Sequence, residues 1–202
     1  LLVALAHWAL GWPLLHLGKL ASAHNHLKQM TDFYDLQQHR NLSFLYGPDP
    51  GVSCLSWSTW ALWLLGYPDQ ALDRSAQGLA IARKLVHPFT ESWALMSTTV
   101  IHQFRGEPKA VREHAGAAVT IAEDRGFALY VGWAKVLKGW GHSEQEPGAA
   151  AVAEMREGLD AFRATGAGLL APYLLALLAV GHARAGQPME GLELIDEALA
   201  QV

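Results

Sequence analysis

A Gly-x-Pro triplet recurs in this chain as Gly66-Tyr67-Pro68, Gly106-Glu107-Pro108 and Gly186-Gln187-Pro188, at multiples of about 40 residues. The missing member lies near residue 146 as Glu146-Pro147-Gly148, shifted by one residue. In each triplet the Gly ends one apolar helical run and the Pro opens the next. Gly is favoured just after a helix end, and Pro is favoured in the first turn of a helix. The triplets therefore predict tandem pairs of helices, each pair joined by a tight turn.

The same offset holds inside the second helix of each pair. One position is always large and apolar, and the position before it is always small, which allows helix axes to approach closely. The chain has no alternating β-branched runs bounded by turns, so an all-α fold is expected. The columns are Leu79, Val119, Leu159 and Leu199; Gly78, Ala118, Gly158 and Ala198; and Ser75, Ala115, Met155 and Ile195.

The repeat divides the chain into about five antiparallel helix pairs, which we expect to form one repeat domain. One pair alone cannot bury its apolar faces, so the pairs are expected to stack into a right-handed α-solenoid. Gly18 marks the turn of the first pair, and Pro13 is expected to kink or break its first helix. The predicted pairs cover approximately residues 1–34, 51–86, 89–125, 127–165 and 168–202, with an inserted polar loop over 35–50.

Both ends of the chain are apolar, and there is no initiator Met. Repeat arrays normally end in a polar capping helix. These features predict that the sequence is part of a longer protein, or that the isolated chain associates with itself through its terminal helices.

Composition excludes several classes of function. With 51% hydrophobic and 17% charged residues the chain is apolar enough to fold, and its net charge of −4 does not favour binding to nucleic acid. The apolar run Leu169–Val180 is too short to span a bilayer. A single cysteine, Cys54, excludes an intramolecular disulfide and fits a reducing, cytoplasmic compartment.

Several strings resemble known repeat proteins. Gly66-Tyr67-Pro68-Asp69-Gln70-Ala71 matches the turn of the tetratricopeptide motif, although the usual period of that motif is about 34 residues. Residues 45–52, 60–72, 102–105 and 162–167 resemble a tetratricopeptide-like region of bacterial signalling proteins. That region follows a class III adenylate/guanylate cyclase domain and an ATPase domain, and related arrays accompany LuxR-type regulators. The resemblance implies a regulatory module with no catalytic residue of its own and with a cyclase and an ATPase upstream.

Aromatic residues form the first candidate site. The chain has eight Trp, and several recur at equivalent positions of the first helices. Trp and Tyr suit a binding groove because they offer a large apolar area with one polar handle. The alternative is that they pack in the core between long helices. If both Trp93 and Trp133 are buried between helices, the groove hypothesis is lost. The candidate partner-binding residues are Trp60, Trp63, Trp93, Trp133, Trp140 and Tyr173.

No pattern predicts catalysis, a metal or a cofactor. His102, His142 and His182 share one column, but neighbouring repeats lie about 10 Å apart, whereas zinc needs nitrogens about 2 Å from one ion. We expect each imidazole to pack and hydrogen-bond locally. Cys54 lies on an apolar helix and is expected to be a buried structural thiol. Phosphate-binding loops and nucleophile elbows are missing from the sequence.

The sequence therefore predicts a non-enzymatic module that binds a protein or peptide segment in a concave aromatic groove. One alternative is a small-molecule sensor, which predicts a closed aromatic pocket. Another is a structural unit that self-associates.

Overall fold

The computed structural model describes residues 1–201, apart from the side chain of residue 40, and this part of the chain is helical with no strand. Val202, the last residue of the predicted fifth pair, lies outside the described residues. The helices are α1 (Leu2–His16), α2 (Leu20–Phe33), α3 (Leu36–His39), a 3-10 turn (Arg40–Leu42), α4 (Ser43–Tyr46), α5 (Pro50–Leu64), α6 (Pro68–Leu85), α7 (Pro88–Phe104), α8 (Pro108–Arg125), α9 (Ala128–Gln145), α10 (Ala149–Ala164), α11 (Ala171–Arg184) and α12 (Pro188–Leu199).

The Gly-x-Pro triplets form the turns that the sequence predicts. Gly66, Gly106 and Gly186 have φ angles of +87°, +69° and +78°, and in each triplet the Pro opens the next helix. These φ values are in the left-handed region, which favours Gly because it lacks a Cβ. The shifted triplet behaves differently, since Gly148 precedes α10 with an extended backbone at φ 163°. There the Gly starts the second helix and does not end the first one.

A second set of turns, between consecutive pairs, repeats in the same register. Gly126 ends α8 and has a φ angle of +71°. Gly166 follows α10 and has a φ angle of +76°. The equivalent residue after α6 is Val86, which has φ +53° and is 82% exposed. A β-branched residue in the left-handed region is an outlier, because its Cβ crowds the following carbonyl oxygen.

The chain divides into two compact units, residues 1–101 and 102–202. The single repeat domain expected from the sequence stays a prediction. In the first unit, α5 contacts α1, α2 and α6, and the Ser97 hydroxyl on α7 donates to the Ser56 carbonyl on α5. Residues 50–59 of α5 are consequently all buried.

The α1 helix continues through Pro13, so the expected break does not occur. Pro13 is exposed and close to the helix end, where water can satisfy the freed carbonyl.

The expected loop over 35–50 contains α3, the 3-10 turn and α4, and it is fixed to the first unit through Asp49. One carboxylate oxygen of Asp49 accepts the Val52 N–H at 3.0 Å and so caps α5, while the other accepts the Tyr34 hydroxyl at 3.0 Å. The Asp49 backbone N–H donates to Thr90 Oγ1 at 2.9 Å. This fully buried residue therefore connects α2, α5 and α7.

In the second unit, α9 contacts α8, α10 and α11, and α11 also contacts α10 and α12. The contact between α9 and α10 depends on glycines. A Cβ at Gly132 would lie 2.4 Å from the Phe162 backbone N, and one at Gly158 would lie 2.7 Å from the Val136 backbone N. Gly158 belongs to the small column, so the column corresponds to a close helix approach, as the sequence predicts.

Candidate aromatic interaction surface

The structure buries part of the predicted aromatic set. Trp133 is 2% exposed, Trp93 is 9% exposed, and Trp140 is also buried. Trp60, Trp63 and Tyr173 are partly exposed. Trp93 and Trp133 are both buried, so they pack in the core, and the groove that the sequence predicted along them is lost. Contact of the partly exposed members with a partner stays a prediction.

Five indoles of the first unit form a continuous cluster that we call the tryptophan ladder: Trp8, Trp12, Trp57, Trp60 and Trp93. The ring centroids of Trp8 and Trp12 lie 6.4 and 5.0 Å from that of Trp57. Trp57 and Trp60 both meet Trp93 edge to face, at 6.0 and 5.8 Å. Rings at such separations attract each other beyond simple burial of area. The ladder thus links the first helices α1, α5 and α7.

Sequence reasoning missed three of these residues, Trp8, Trp12 and Trp57. The repeat register could have identified one of them, Trp12. The offset between the turn glycines Gly18 and Gly66 is the same as the offset between Trp12 and Trp60, which makes the two indoles equivalent. Trp8 and Trp57 have no such equivalent, and only the packing of α1 against α5 brings them together.

Four of the five ladder indoles lie on α1 and α5, whereas α7, which carries Trp93, has Glu91 in its first turn. α1 and α5 contain no Asp, Glu, Lys or Arg. The indole N–H groups of Trp8 and Trp57 are buried and have no hydrogen-bond acceptor among the described residues. The accessible part of the ladder therefore offers apolar area to a ligand, because these two N–H groups are themselves enclosed.

The inserted segment borders the ladder. The Tyr46 ring meets Trp8 edge to face at 5.4 Å, and Phe44 meets His87 at 5.5 Å. Phe44 and Leu45 are nevertheless largely exposed. The segment thus adds the Tyr46 ring to the edge of the ladder.

Tyr173 and Trp133 lie in the second unit. The Tyr173 hydroxyl donates to Gln103 Oε1 at 2.8 Å, and its ring meets Phe104 at 6.2 Å. Burial raises the pKa of the Tyr173 phenol, so the hydroxyl remains a donor at neutral pH. These contacts fix the position of Tyr173 on α11.

The histidine column makes local contacts. His102 Nδ1 lies 2.6 Å from Glu107 Oε2, and His182 Nδ1 lies 3.1 Å from Gln187 Oε1. At both positions the expected local hydrogen bond is confirmed, and it ties the end of a first helix to the following turn. The bond from His102 lowers the pKa of Glu107. The described residues contain no group of three His, Cys, Asp or Glu arranged to hold a metal ion.

Cys54 is completely buried, as the sequence predicts. Burial raises the pKa of its thiol, and the nearby Asp49 carboxylate adds to the shift. A protonated, inaccessible thiol is a poor nucleophile. Among the described helices, none has the length and apolar character needed to cross a membrane.

Comparison with solved structures decides the fold class. The TPR-like repeats of a kinesin light chain-like protein from Podosopora anserina superpose with a TM-score of 0.63, 15% sequence identity and coverage of 97% of this chain and 93% of that one. A single-substitution variant of the same protein gives a TM-score of 0.64 at 14% identity, covering 97% and 92%. This chain has a TPR-like repeat fold. No family model matches the chain, and no curated protein matches it. At these identities the TPR-like neighbours establish the fold alone.

Proposed function

We propose that this TPR-like chain is a protein-interaction module that binds an uncharged, apolar segment of a partner protein at the tryptophan ladder. The observation that carries the proposal is the ladder itself, five indoles on three first helices without a charged neighbour on α1 or α5. Burying indole area gives a large gain for little lost side-chain entropy.

The partly exposed residues would touch the partner. Trp60 belongs to the ladder, and Trp63, which is not a member of it, follows three residues later on α5. Both are partly exposed. Trp93 is buried and would hold Trp57 and Trp60 in position through its ring contacts with them. In the second unit, Tyr173 is the partly exposed member of the predicted set, with its hydroxyl bonded to Gln103, while Trp133 and Trp140 would hold α9 in place.

The cellular context is part of the proposal and depends on the resemblance of residues 45–52 and 60–72 to bacterial signalling proteins. In that context the chain would act in the cytoplasm, beside a cyclase and an ATPase of the same polypeptide. A partner bound to the ladder would then bias the activity of those domains. The physical requirement is that the partner bind one state of the whole protein more tightly than another.

A peptide array of uncharged, aromatic and aliphatic sequences, scored by fluorescence anisotropy, tests the binding site. Trp60→Ala and Trp63→Ala should each weaken binding at least about tenfold, the loss of a typical aromatic anchor. Tyr67→Ala is the matched control, because Tyr67 is an exposed aromatic residue in the turn after α5 and not on the helix that carries Trp60 and Trp63. Equal affinity of all three variants and the unmodified chain would refute the proposed site.

A further inference from the structure

Two histidines meet across the first helix pair. Nδ1 of His7 on α1 lies 2.7 Å from Nδ1 of His26 on α2, and the two ring centroids are 4.9 Å apart with the ring planes tilted by 37°. Both residues are half-buried. At this distance one nitrogen donates its N–H to the lone pair of the other, so at least one of the two rings is neutral. The packing therefore brings two metal-ligating nitrogens to one point.

The contact between α1 and α2 fixes this separation. One turn after His7, a Cβ at Gly11 would lie 2.4 Å from Leu27 Cδ2, so the two helices approach closely beside His26. Leu27 and Ala23, on the same side of α2, are completely buried. The two backbones are thus held together, while the imidazoles can still turn about their side-chain bonds.

Two imidazole nitrogens at this separation match one kind of metal coordination. Imidazole nitrogens bind divalent transition metals at about 2.0–2.1 Å. Two such nitrogens are about 2.9 Å apart when they subtend a right angle at the ion, and about 3.3 Å apart in a tetrahedron. The observed 2.7 Å is closer to the right-angle value. Cu²⁺ and Ni²⁺ favour square-planar or tetragonal coordination by nitrogen and oxygen, which has right angles, whereas Zn²⁺ favours a tetrahedron.

Metal binding replaces the hydrogen bond between the rings. Each ring turns so that its Nδ1 points to the ion. The bridging proton moves by exchange with water to Nε2 of the same ring or, from a charged ring, to the water itself. Both ligands are then neutral imidazoles, the form that binds metals.

The helices add no competing charge beside the pair. α1 contains no Asp, Glu, Lys or Arg. On α2, Lys28 follows His26 by two residues, so the two side chains do not face each other. Its ammonium lies 2.6 Å from the Asp32 carboxylate. A divalent ion at the pair therefore meets no unpaired ammonium on these two helices, and water completes its coordination.

A second histidine pair shows why proximity alone is insufficient. The ring centroids of His102 and His114 are 5.2 Å apart, but these rings are stacked with their planes only 18° apart. Nitrogens in nearly parallel stacked rings cannot both point at one ion about 2 Å away. His102 Nδ1 is also bonded to Glu107. This stacked pair is consequently a matched control within the same protein.

From this geometry we propose that His7 and His26 form a binding site for a divalent transition-metal ion of the Cu²⁺ or Ni²⁺ type. The ion links α1 to α2 and so holds Trp8, the residue after His7, at the edge of the tryptophan ladder. The site shares no residue with the proposed partner-binding set and does not depend on the proposed function.

Isothermal titration of the untagged chain with NiCl₂ at about pH 7.5 tests the site, because imidazole must be neutral to bind the metal. The unmodified chain should bind one ion at this site. His7→Gln and His26→Gln should each weaken that binding at least about tenfold, since each removes one of two protein ligands. His114→Gln, in the stacked pair, and His16→Gln, on α1, should keep the affinity of the unmodified chain.

Thermal unfolding gives a second readout. NiCl₂ should raise the thermal midpoint of the unmodified chain and of His114→Gln, because an ion that binds only the folded state stabilises it. It should leave the midpoint of His26→Gln unchanged. Circular dichroism without metal checks that the variants keep the helicity of the unmodified chain.

Three results would overturn the proposal. The first is that neither Ni²⁺ nor Cu²⁺ binds at millimolar concentration. The second is that His7→Gln or His26→Gln binds Ni²⁺ as tightly as the unmodified chain, or that His114→Gln weakens binding equally. The third is that Zn²⁺ binds more tightly than both Ni²⁺ and Cu²⁺, which would contradict right-angled coordination at this pair.

Discussion

Replacement of Val86 by Gly should stabilise the chain, although it removes an apolar side chain. Val86 has φ +53° and is 82% exposed, so the side chain contributes little burial and the backbone is strained. A left-handed conformation costs an L-residue about 1–2 kcal/mol. Gly also raises the conformational entropy of the unfolded chain, which lowers the free energy of unfolding by about 0.4–1 kcal/mol. The expected gain in the free energy of unfolding is therefore about 0–1.6 kcal/mol, with a middle value of about 0.8 kcal/mol.

The repeat supplies a reciprocal control. Gly126 occupies the equivalent turn with φ +71°, and no atom lies within 4 Å of the Cβ that a side chain would add. Gly126→Val should therefore lose about as much stability as Val86→Gly gains, because only the backbone conformation is at stake. Val86→Ala keeps a Cβ in the strained turn and should change stability by less than about 0.5 kcal/mol.

Urea titration followed by far-ultraviolet circular dichroism measures these changes as shifts of the unfolding midpoint at constant slope. The expected order of midpoints is Val86→Gly above the unmodified chain, and the unmodified chain above Gly126→Val. A lower midpoint for Val86→Gly would refute the reasoning, since it would mean that the valine side chain contributes more than the strain costs.

Four further substitutions have expected outcomes. Gly132→Ala should destabilise the chain by about 1–3 kcal/mol, because its Cβ would meet backbone at 2.4 Å; Gly116→Ala, with nothing within 4 Å, should stabilise it by up to about 1 kcal/mol in the same urea titration. Tyr34→Phe removes the hydroxyl that donates to Asp49 and should lower the thermal midpoint, at a cost of about 1.5–3 kcal/mol. Glu107 has a lowered pKa in the folded state, so its ionised form stabilises the fold above about pH 4.3 and this contribution is lost as the pH falls. The stability difference between the unmodified chain and Glu107→Gln should therefore shrink on acidification, and a difference that is constant from pH 7 to about 3 would contradict the pairing.

The sequence predicted the helix pairs well, because their turns depend on residue type. A Gly before a Pro needs no tertiary context to end one helix and begin another, and the register of Gly66, Gly106 and Gly186 shows this directly. Gly158 could be assigned to a close helix contact for the same reason, since only a small residue fits there.

Other features could not be predicted because they depend on contacts distant in sequence. Nothing about Val86 indicates a left-handed turn, and only its alignment with Gly126 and Gly166 reveals it. Asp49 bonds to Tyr34 and Thr90, which are 15 and 41 residues away. These pairings exist only once α2, α5 and α7 are in place.

The aromatic site was predicted only in part, for a related reason. The repeat register identifies which residues are equivalent, but it does not show whether a neighbouring helix covers them. Trp60 and Trp93 both belong to the predicted set, yet the structure leaves the first partly exposed and buries the second. Trp57 was missed because its contacts with Trp8 and Trp12 cross between two helix pairs.

Quantitative titration of an uncharged, apolar peptide selected on the array against the chain and its Trp60→Ala/Trp63→Ala double variant tests the proposed function most directly. Fluorescence anisotropy should show saturable binding to the unmodified chain and to Tyr67→Ala, and at least about tenfold weaker binding to the double variant. Equal affinity for all three proteins would contradict a partner site at the tryptophan ladder.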